Sequence, residues 1–226
     1  MKLSEVYDQL AYGELRQIVL GTGDMTINNI GIPQAKQQEI LPFVVLGLTE
    51  IHKRFKLREG RATLPLIEGQ SAYSLATATD FMQVEAITGI WDKKDIDIPI
   101  NLGFKHGITT PTYNTLTVPT DVNDAPWLRE TTELIISYRA DHPVIDVNIA
   151  NAAASIVDIF LPSMYLQALI YYISARVTSS LGGSEGYIET DSYQAKFEYQ
   201  CSLLVKDSFN VEREMPDNKL ALRGWI

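Results

Sequence analysis

The ionisable and nucleophilic side chains of this 226-residue chain show no recognisable catalytic or metal-binding pattern. Three histidines, His52, His106 and His142, are expected to lie far apart in different kinds of element, and none has a second metal ligand at zinc spacing. The single cysteine, Cys201, falls within a helical apolar stripe, where core packing is favoured over a role as a nucleophile. These residues therefore predict neither a metal site nor covalent catalysis.

Acidic side chains gather at two places. Asp92, Asp95 and Asp97 share a predicted hairpin, and Glu5, Asp8 and Glu14 share the first predicted helix. A glycosidase needs two carboxylates across a cleft, one with a pKa raised by burial, whereas hairpins and helix faces routinely carry solvated carboxylates. No nucleophile elbow, Walker A or dinucleotide motif occurs, and Gly21-Thr22-Gly23-Asp24 follows a helix, which makes it a turn. The sequence predicts no catalytic residue, no cofactor and no metal.

Composition is that of an ordinary globular protein, with 46% hydrophobic and 21% charged residues, enough for one large domain or a domain with a subdomain. No window reaches the ~18 apolar residues of a membrane helix. The polar start argues against a signal peptide, and one cysteine cannot form an intrachain disulfide. We expect a soluble intracellular product that does not bind membranes.

The charge balance bears on nucleic-acid binding. The formal net charge is −9, and the one basic cluster, at 52–58, ends a predicted helix, where such residues usually complement the helix dipole. Gripping a phosphate backbone needs clustered Lys and Arg. An acidic surface repels phosphate and would let DNA slide past without sticking.

Apolar spacing predicts helices at both ends of the chain. The first has Ser4 as N-cap and ends before Gly21, and the second ends near Leu57 with a kink or new start at Pro42. A third begins at Pro162 and ends at the Gly182-Gly183 pair. The last covers about 191–209, with Tyr193, Phe197, Cys201, Leu204 and Val205 as its apolar stripe.

The middle of the chain has a β-type pattern. Alternation and β-branched runs predict strands at 62–67, 72–75, 82–91, 96–102, 114–119 and 133–139. A turn at 92–95 joins two of them, and 121–129, which holds Trp127, is a predicted loop. Short strands at this spacing without intervening helices are typical of a small antiparallel sandwich or barrel.

The predicted fold class is therefore α+β. Residues 1–58 and 162–211 form an antiparallel helical bundle, 59–161 an inserted β-sandwich or barrel domain with its connection, and 212–226 an extended C-terminal tail. Trp and Arg dominate interface energetics, which makes the tail a predicted element for docking onto a neighbouring subunit or partner, although folding back onto its own helices is the alternative. Its candidate binding residues are Leu220, Leu222, Arg223, Trp225 and Ile226. We expect the tail to lack order before assembly.

Four groups of segments carry a family resemblance. They are KLSEVYDQL (2–10) with GEL (13–15); LGLTEIHKRF (46–55); NTLTVP (114–119) with YRADHP (138–143); and LPSMYLQAL (161–169) with ARV (175–177), GG (182–183), FE (197–198) and RGW (223–225). In this order they resemble the head-to-tail adaptor (connector) proteins of tailed bacteriophages, especially the short-tailed type. The chain departs from the pattern of that family in the connection at 145–160 and in the acidic loop between the first two predicted helices.

The resemblance implies a virion structural protein without enzymatic activity. Twelve copies would form a dodecameric ring beneath the portal protein, in the virion neck at the head–tail junction, after assembly in the host cytoplasm. The C-terminal segment would reach the portal, and the lower parts would receive the tail nozzle or tail-tube proteins. The ring would extend the DNA channel and help retain the genome, while double-stranded DNA passes through without specific binding.

Two other functions stay open on the residues alone. One is a cell-wall hydrolase of the tail, which would need a buried carboxylate pair in the 92–97 hairpin. The other is a β-domain binding module that recognises a host or tail partner. A ring differs from both because its heterologous contact requires two different complementary patches on each copy.

Overall fold

The computed structural model of the chain is a mixed α+β structure. Its described residues are 1–15, 31–75, 80–91, 94–98, 100, 107–112, 114–121, 123, 125–129, 131–180 and 184–213. The chain divides into two compact units: Met1–Leu48 with Ile145–Ile226, and Thr49–Val144. In the described residues, strands occur in the second unit and helices predominate in the first. We call them the helical unit and the β unit.

Five α-helices occur in the described residues. They are α1 (Leu3–Tyr12), α2 (Gln34–Arg54), α3 (Val147–Ala152), α4 (Leu166–Ser180) and α5 (Ser184–Arg213). Single turns of 3-10 helix occur at Ala154–Ile156 and Ser163–Tyr165, on either side of the loop before α4, and at Pro126–Arg129 in the β unit. The last of these lies inside the predicted 121–129 loop.

Helix α1 has the apolar face that its spacing predicts, but its ends differ from the prediction. Its buried residues are Leu3, Val6, Tyr7, Leu10 and Ala11. Lys2, not Ser4, is the N-cap, so Ser4 lies inside the helix. The helix ends at Tyr12 because Gly13 leaves helical geometry (φ −103°, ψ −116°), and the Gly21–Asp24 turn lies outside the described residues.

Helix α2 runs through Pro42 without interruption, so the new start considered there is wrong. Inside a helix a proline removes one backbone hydrogen bond and is tolerated where packing compensates. Nearby, Gly47 lets α2 approach α4 closely, since a Cβ at position 47 would lie 2.7 Å from Leu169 Cδ1 and 2.9 Å from Tyr172 Cδ1.

Helices α4 and α5 pack against each other through an apolar seam. Phe197 is fully buried, and its ring meets that of Tyr172 edge to face, with centroids 5.4 Å apart. Cys201 and Leu204 are buried on the same face of α5, as the stripe predicts, but Val205 is 40% exposed, which corrects its place in that stripe. Helix α5 also begins earlier than expected, and the Gly182-Gly183 pair lies outside the described residues.

The strands of the β unit form two small antiparallel sheets. One has the order β1 (Glu59–Pro65), β7 (Glu133–Ala140), β3 (Phe81–Trp91), β4 (Lys94–Ile98), and the other has the order β2 (Ala72–Ser74), β6 (Thr115–Thr117), β5 (Thr109–Thr112). The β3–β4 hairpin agrees with the predicted turn, since Trp91 pairs with Lys94. Strand β5 was not expected from sequence.

Both sheets contribute to one apolar core. Side chains of the four-stranded sheet, such as Ile87 and Ile136, cluster with Tyr73 and Leu116 of the three-stranded sheet. Among the described residues the strands do not close into a barrel. An edge strand of each sheet carries a proline, Pro65 in β1 and Pro111 in β5.

Candidate functional site

Two of the three histidines are neighbours in the β unit, so the expectation that all three lie far apart is wrong. His52 and His142 are both buried, with ring centroids 6.0 Å apart in an edge-to-face arrangement. They meet because the backbone after β7 passes the C-terminal end of α2; His106 lies outside the described residues. Nothing in the sequence around either histidine predicts this contact, since it depends on how the chain brings two distant segments together.

His142 is held by hydrogen bonds with neighbouring residues. His142 Nδ1 lies 2.8 Å from the Pro143 carbonyl oxygen, and the His142 backbone N–H donates to Asp141 Oδ1 at 2.7 Å. The other oxygen of Asp141 accepts from Thr49 Oγ1 at 3.0 Å. Across the described residues, no group of three or more His, Cys, Asp and Glu side chains could hold a metal ion.

The basic cluster at 52–58 is matched by carboxylates of the β unit. Arg54 Nε lies 2.9 Å from Glu50 Oε1, one turn earlier in α2. Lys56 pairs with Glu85, and that hydrogen bond raises the pKa of Lys56. Arg58 Nη1 lies 2.8 Å from Asp80 Oδ2. Each of these cations is therefore neutralised locally, a pattern that suits a helix end better than a phosphate-binding face.

Arg58 belongs to a network that joins strands to the segment after α2. Its guanidinium also donates to the Asp141 carbonyl at 2.9 Å, while the Tyr138 hydroxyl donates to Asp80 Oδ1 at 2.9 Å. Burial, and then the hydrogen bond with Asp80, raises the pKa of Tyr138. Gly60 of β1 lies under the Tyr138 ring, where a Cβ would overlap ring atoms. The network fixes local geometry in the β unit.

Among the described residues, the candidate carboxylates do not form an acid–base pair. Glu5 and Asp8 are exposed on α1, and Glu14 lies 3.7 Å from Lys196 Nζ of α5. Asp92 and the side chains of Asp95 and Asp97 lie outside the described residues. Cys201 is buried in the α4–α5 seam.

Each unit has a shallow cleft among its described residues. The cleft of the helical unit, about 250 Å³, has the polar side chains Gln9, Glu14 and Gln167 in its lining. The cleft of the β unit, about 320 Å³, has Met82, Thr110 and other residues without ionisable groups as its lining. The lining of the helical-unit cleft also includes Ser163, but the carboxylate in that lining, Glu14, lies 3.7 Å from Lys196 Nζ. The lining of the β-unit cleft has no ionisable side chain to act as a base.

Among the described residues of the helical unit, the 145–164 segment is rich in exposed apolar side chains. Its exposed large hydrophobic residues are Val147, Ile149, Ile156, Phe160 and Met164. The segment includes α3, the 3-10 turn Ala154–Ile156 and the approach to α4. In the sequence this segment is an apolar run without helical or strand period, so periodicity predicts only a connection there.

Backbone hydrogen bonds tie this segment to the start of α1. The Leu3 N–H donates to the Val157 carbonyl at 3.0 Å, and the Ile159 N–H donates to the Met1 carbonyl at 2.8 Å. Lys2 Nζ lies 2.8 Å from Asp158 Oδ1. The backbone between the exposed residues Ile156 and Phe160 is therefore anchored to the start of α1.

The predicted tail residues Leu220, Leu222, Arg223, Trp225 and Ile226 lie outside the described residues. Among the described residues, no helix combines the length and apolar character needed to cross a membrane. A scan against protein-family models finds no match to the chain. A search of curated proteins finds no significant relative.

Proposed function

We propose that this chain is a structural virion protein, the head-to-tail adaptor of a tailed bacteriophage, which assembles as a ring beneath the portal. Its work is mechanical: it extends the DNA channel, helps retain the packaged genome and provides the attachment site for tail nozzle or tail-tube proteins. The chain has no enzymatic step in this proposal. Its partners are the portal, the tail and eleven further copies of itself.

The observation that carries the proposal is the interruption of a helical unit by a β unit. Met1–Leu48 and Ile145–Ile226 belong to one compact unit although 96 residues of β unit, Thr49–Val144, separate them in sequence. This is the arrangement that the resemblance implies. In its finer form, the helices make an antiparallel bundle and the two sheets make a sandwich, and the core shared by both sheets supports the latter.

Charge agrees with a channel role. With a formal net charge of −9, copies arranged around DNA would repel its phosphates and lower friction during packaging and ejection. The basic residues at the end of α2 are paired with carboxylates, which leaves them poorly suited to gripping a backbone. The proposal therefore includes DNA passage without specific DNA binding.

The test is assembly on the portal. Purified full-length chain is mixed with the portal protein of the same genome, and the mass of the complex is measured by light scattering after size exclusion. We expect the portal to gain mass equal to a closed ring of the chain. A chain that never joins the portal would contradict the proposal, and cell-wall hydrolysis by the purified chain would favour the hydrolase instead.

A further inference from the structure

We propose that the 145–164 segment is the contact through which one copy of this chain binds a second copy. The inference rests on the proposed function, because a ring needs such a contact, and it assigns that contact to particular residues. A ring contact is heterologous, so this segment would meet a different surface of the neighbouring copy.

The apolar area fits a subunit contact. The five large apolar side chains of the segment, from Val147 to Met164, are between 46% and 63% exposed. At roughly 150–200 Å² for each side chain, they leave on the order of 400 Å² of apolar surface. A standard interface buries about 800 Å² for each partner and is a little over half non-polar. The segment alone would therefore supply most of the apolar part of one side.

Charge favours a second copy as the occupant. Copies of a chain with net charge −9 repel one another, so they can meet only where charge is low or neutralised. The segment holds two ionisable residues, Asp146 and Asp158. Asp146 caps α3 by accepting from the Asn148 N–H at 2.8 Å, and Asp158 is paired with Lys2. Covering the segment would therefore bury no carboxylate that lacks a hydrogen-bond or ion-pair partner.

Anchoring lowers the cost of association. The hydrogen bonds of Val157 and Ile159 with Leu3 and Met1 fix the backbone at 157–159 before any partner arrives, and the Asp146 cap fixes the start of α3. Binding therefore orders few additional groups, which leaves more of the apolar burial as net affinity. An interface built on an anchored segment also keeps the same geometry in every copy, as a closed ring requires.

The first experiment uses a matched pair of substitutions in the full-length chain. Ile156 is 63% exposed in the segment, and Ile67 is 59% exposed in the β unit. Sedimentation velocity over a concentration series, with and without portal, measures self-association of wild type, Ile156→Asp and Ile67→Asp. We expect Ile156→Asp to weaken self-association at least tenfold, with unchanged circular dichroism and thermal midpoint, and Ile67→Asp to behave as wild type. Equal behaviour of the two variants would overturn the proposal.

A second experiment separates this inference from the proposed function. A benzophenone amino acid replaces Phe160 in the full-length chain, which is irradiated alone and with portal. Covalent products between two copies support the contact, and they support it even where the portal is not bound and the adaptor function fails. Products with portal alone overturn this contact while leaving the adaptor function standing. Absence of any product, with or without portal, overturns the contact.

Discussion

The fully buried Phe197 should be a main determinant of the stability of the helical unit. Its ring fills the α4–α5 seam and meets Tyr172 edge to face at 5.4 Å. Phe197→Ala would remove this contact and leave a cavity, because helices of fixed geometry cannot close the gap completely. Replacing a core phenylalanine by alanine costs about 3–5 kcal/mol, of which the aromatic pair accounts for about 0.5–1.5 kcal/mol.

The assay is urea and thermal unfolding followed by circular dichroism. In a domain of 150–250 residues, each kcal/mol lowers Tm by roughly 2–4 °C, so Phe197→Ala should lower Tm by roughly 6–20 °C. Tyr199→Ala is the matched control, since Tyr199 lies two positions further along α5 and is 65% exposed. That control should change stability by no more than about 0.5 kcal/mol. If the two variants unfold alike, the seam does not hold the helices and our account of the unit is wrong.

Three further predictions follow from single residues. Gly60→Ala should destabilise the β unit by about 1–3 kcal/mol in urea unfolding, because the new Cβ would overlap the Tyr138 ring. Gly31→Ala, which places its Cβ in open space, is the control and should be near neutral in the same assay. Burial raises the pKa of Tyr7 from 10.0 to about 12. The contribution of the neutral Tyr7 hydroxyl to stability is therefore complete below pH 10 and is lost as the pH rises to about 12. A Tyr7→Phe variant that loses stability at alkaline pH as wild type does would refute this prediction. The hydrogen bond from Lys2 lowers the pKa of Asp158 below 3.8. The contribution of this ion pair to stability is therefore present above pH 3.8 and is lost as the pH falls through the lower pKa of the folded state. An NMR titration that gives Asp158 a pKa at or above 3.8 would contradict the ion pair.

Local pattern predicted the elements that bury a regular apolar face. The spacing of Leu3, Val6 and Leu10 predicts α1, and the alternation before and after the 92–95 turn predicts the β3–β4 hairpin. Strand β5 escaped prediction because Thr109–Thr112 is polar, contains Pro111 and has no alternation to read. Its place is set by pairing with β6, which is a tertiary property.

Candidate sites were predicted less well than elements, for a physical reason. The meeting of His52 with His142 is created by chain topology, and nothing in the local spacing of either residue indicates it. The same holds for Arg58 and Asp80, whose ion pair joins the residues just before β1 and just before β3. The exposed apolar side chains of the 145–164 segment have no period, and periodicity is the main signal that sequence offers.

Pro65 and Pro111 affect how copies of this protein could associate through their sheet edges. Each proline lies in an edge strand, β1 or β5, and so removes one amide donor from a sheet border. A border that lacks a donor is a poor template for strand addition by a neighbouring copy. In the ring that we propose, the local concentration of identical sheets would be high, and these two prolines would disfavour strand addition between copies.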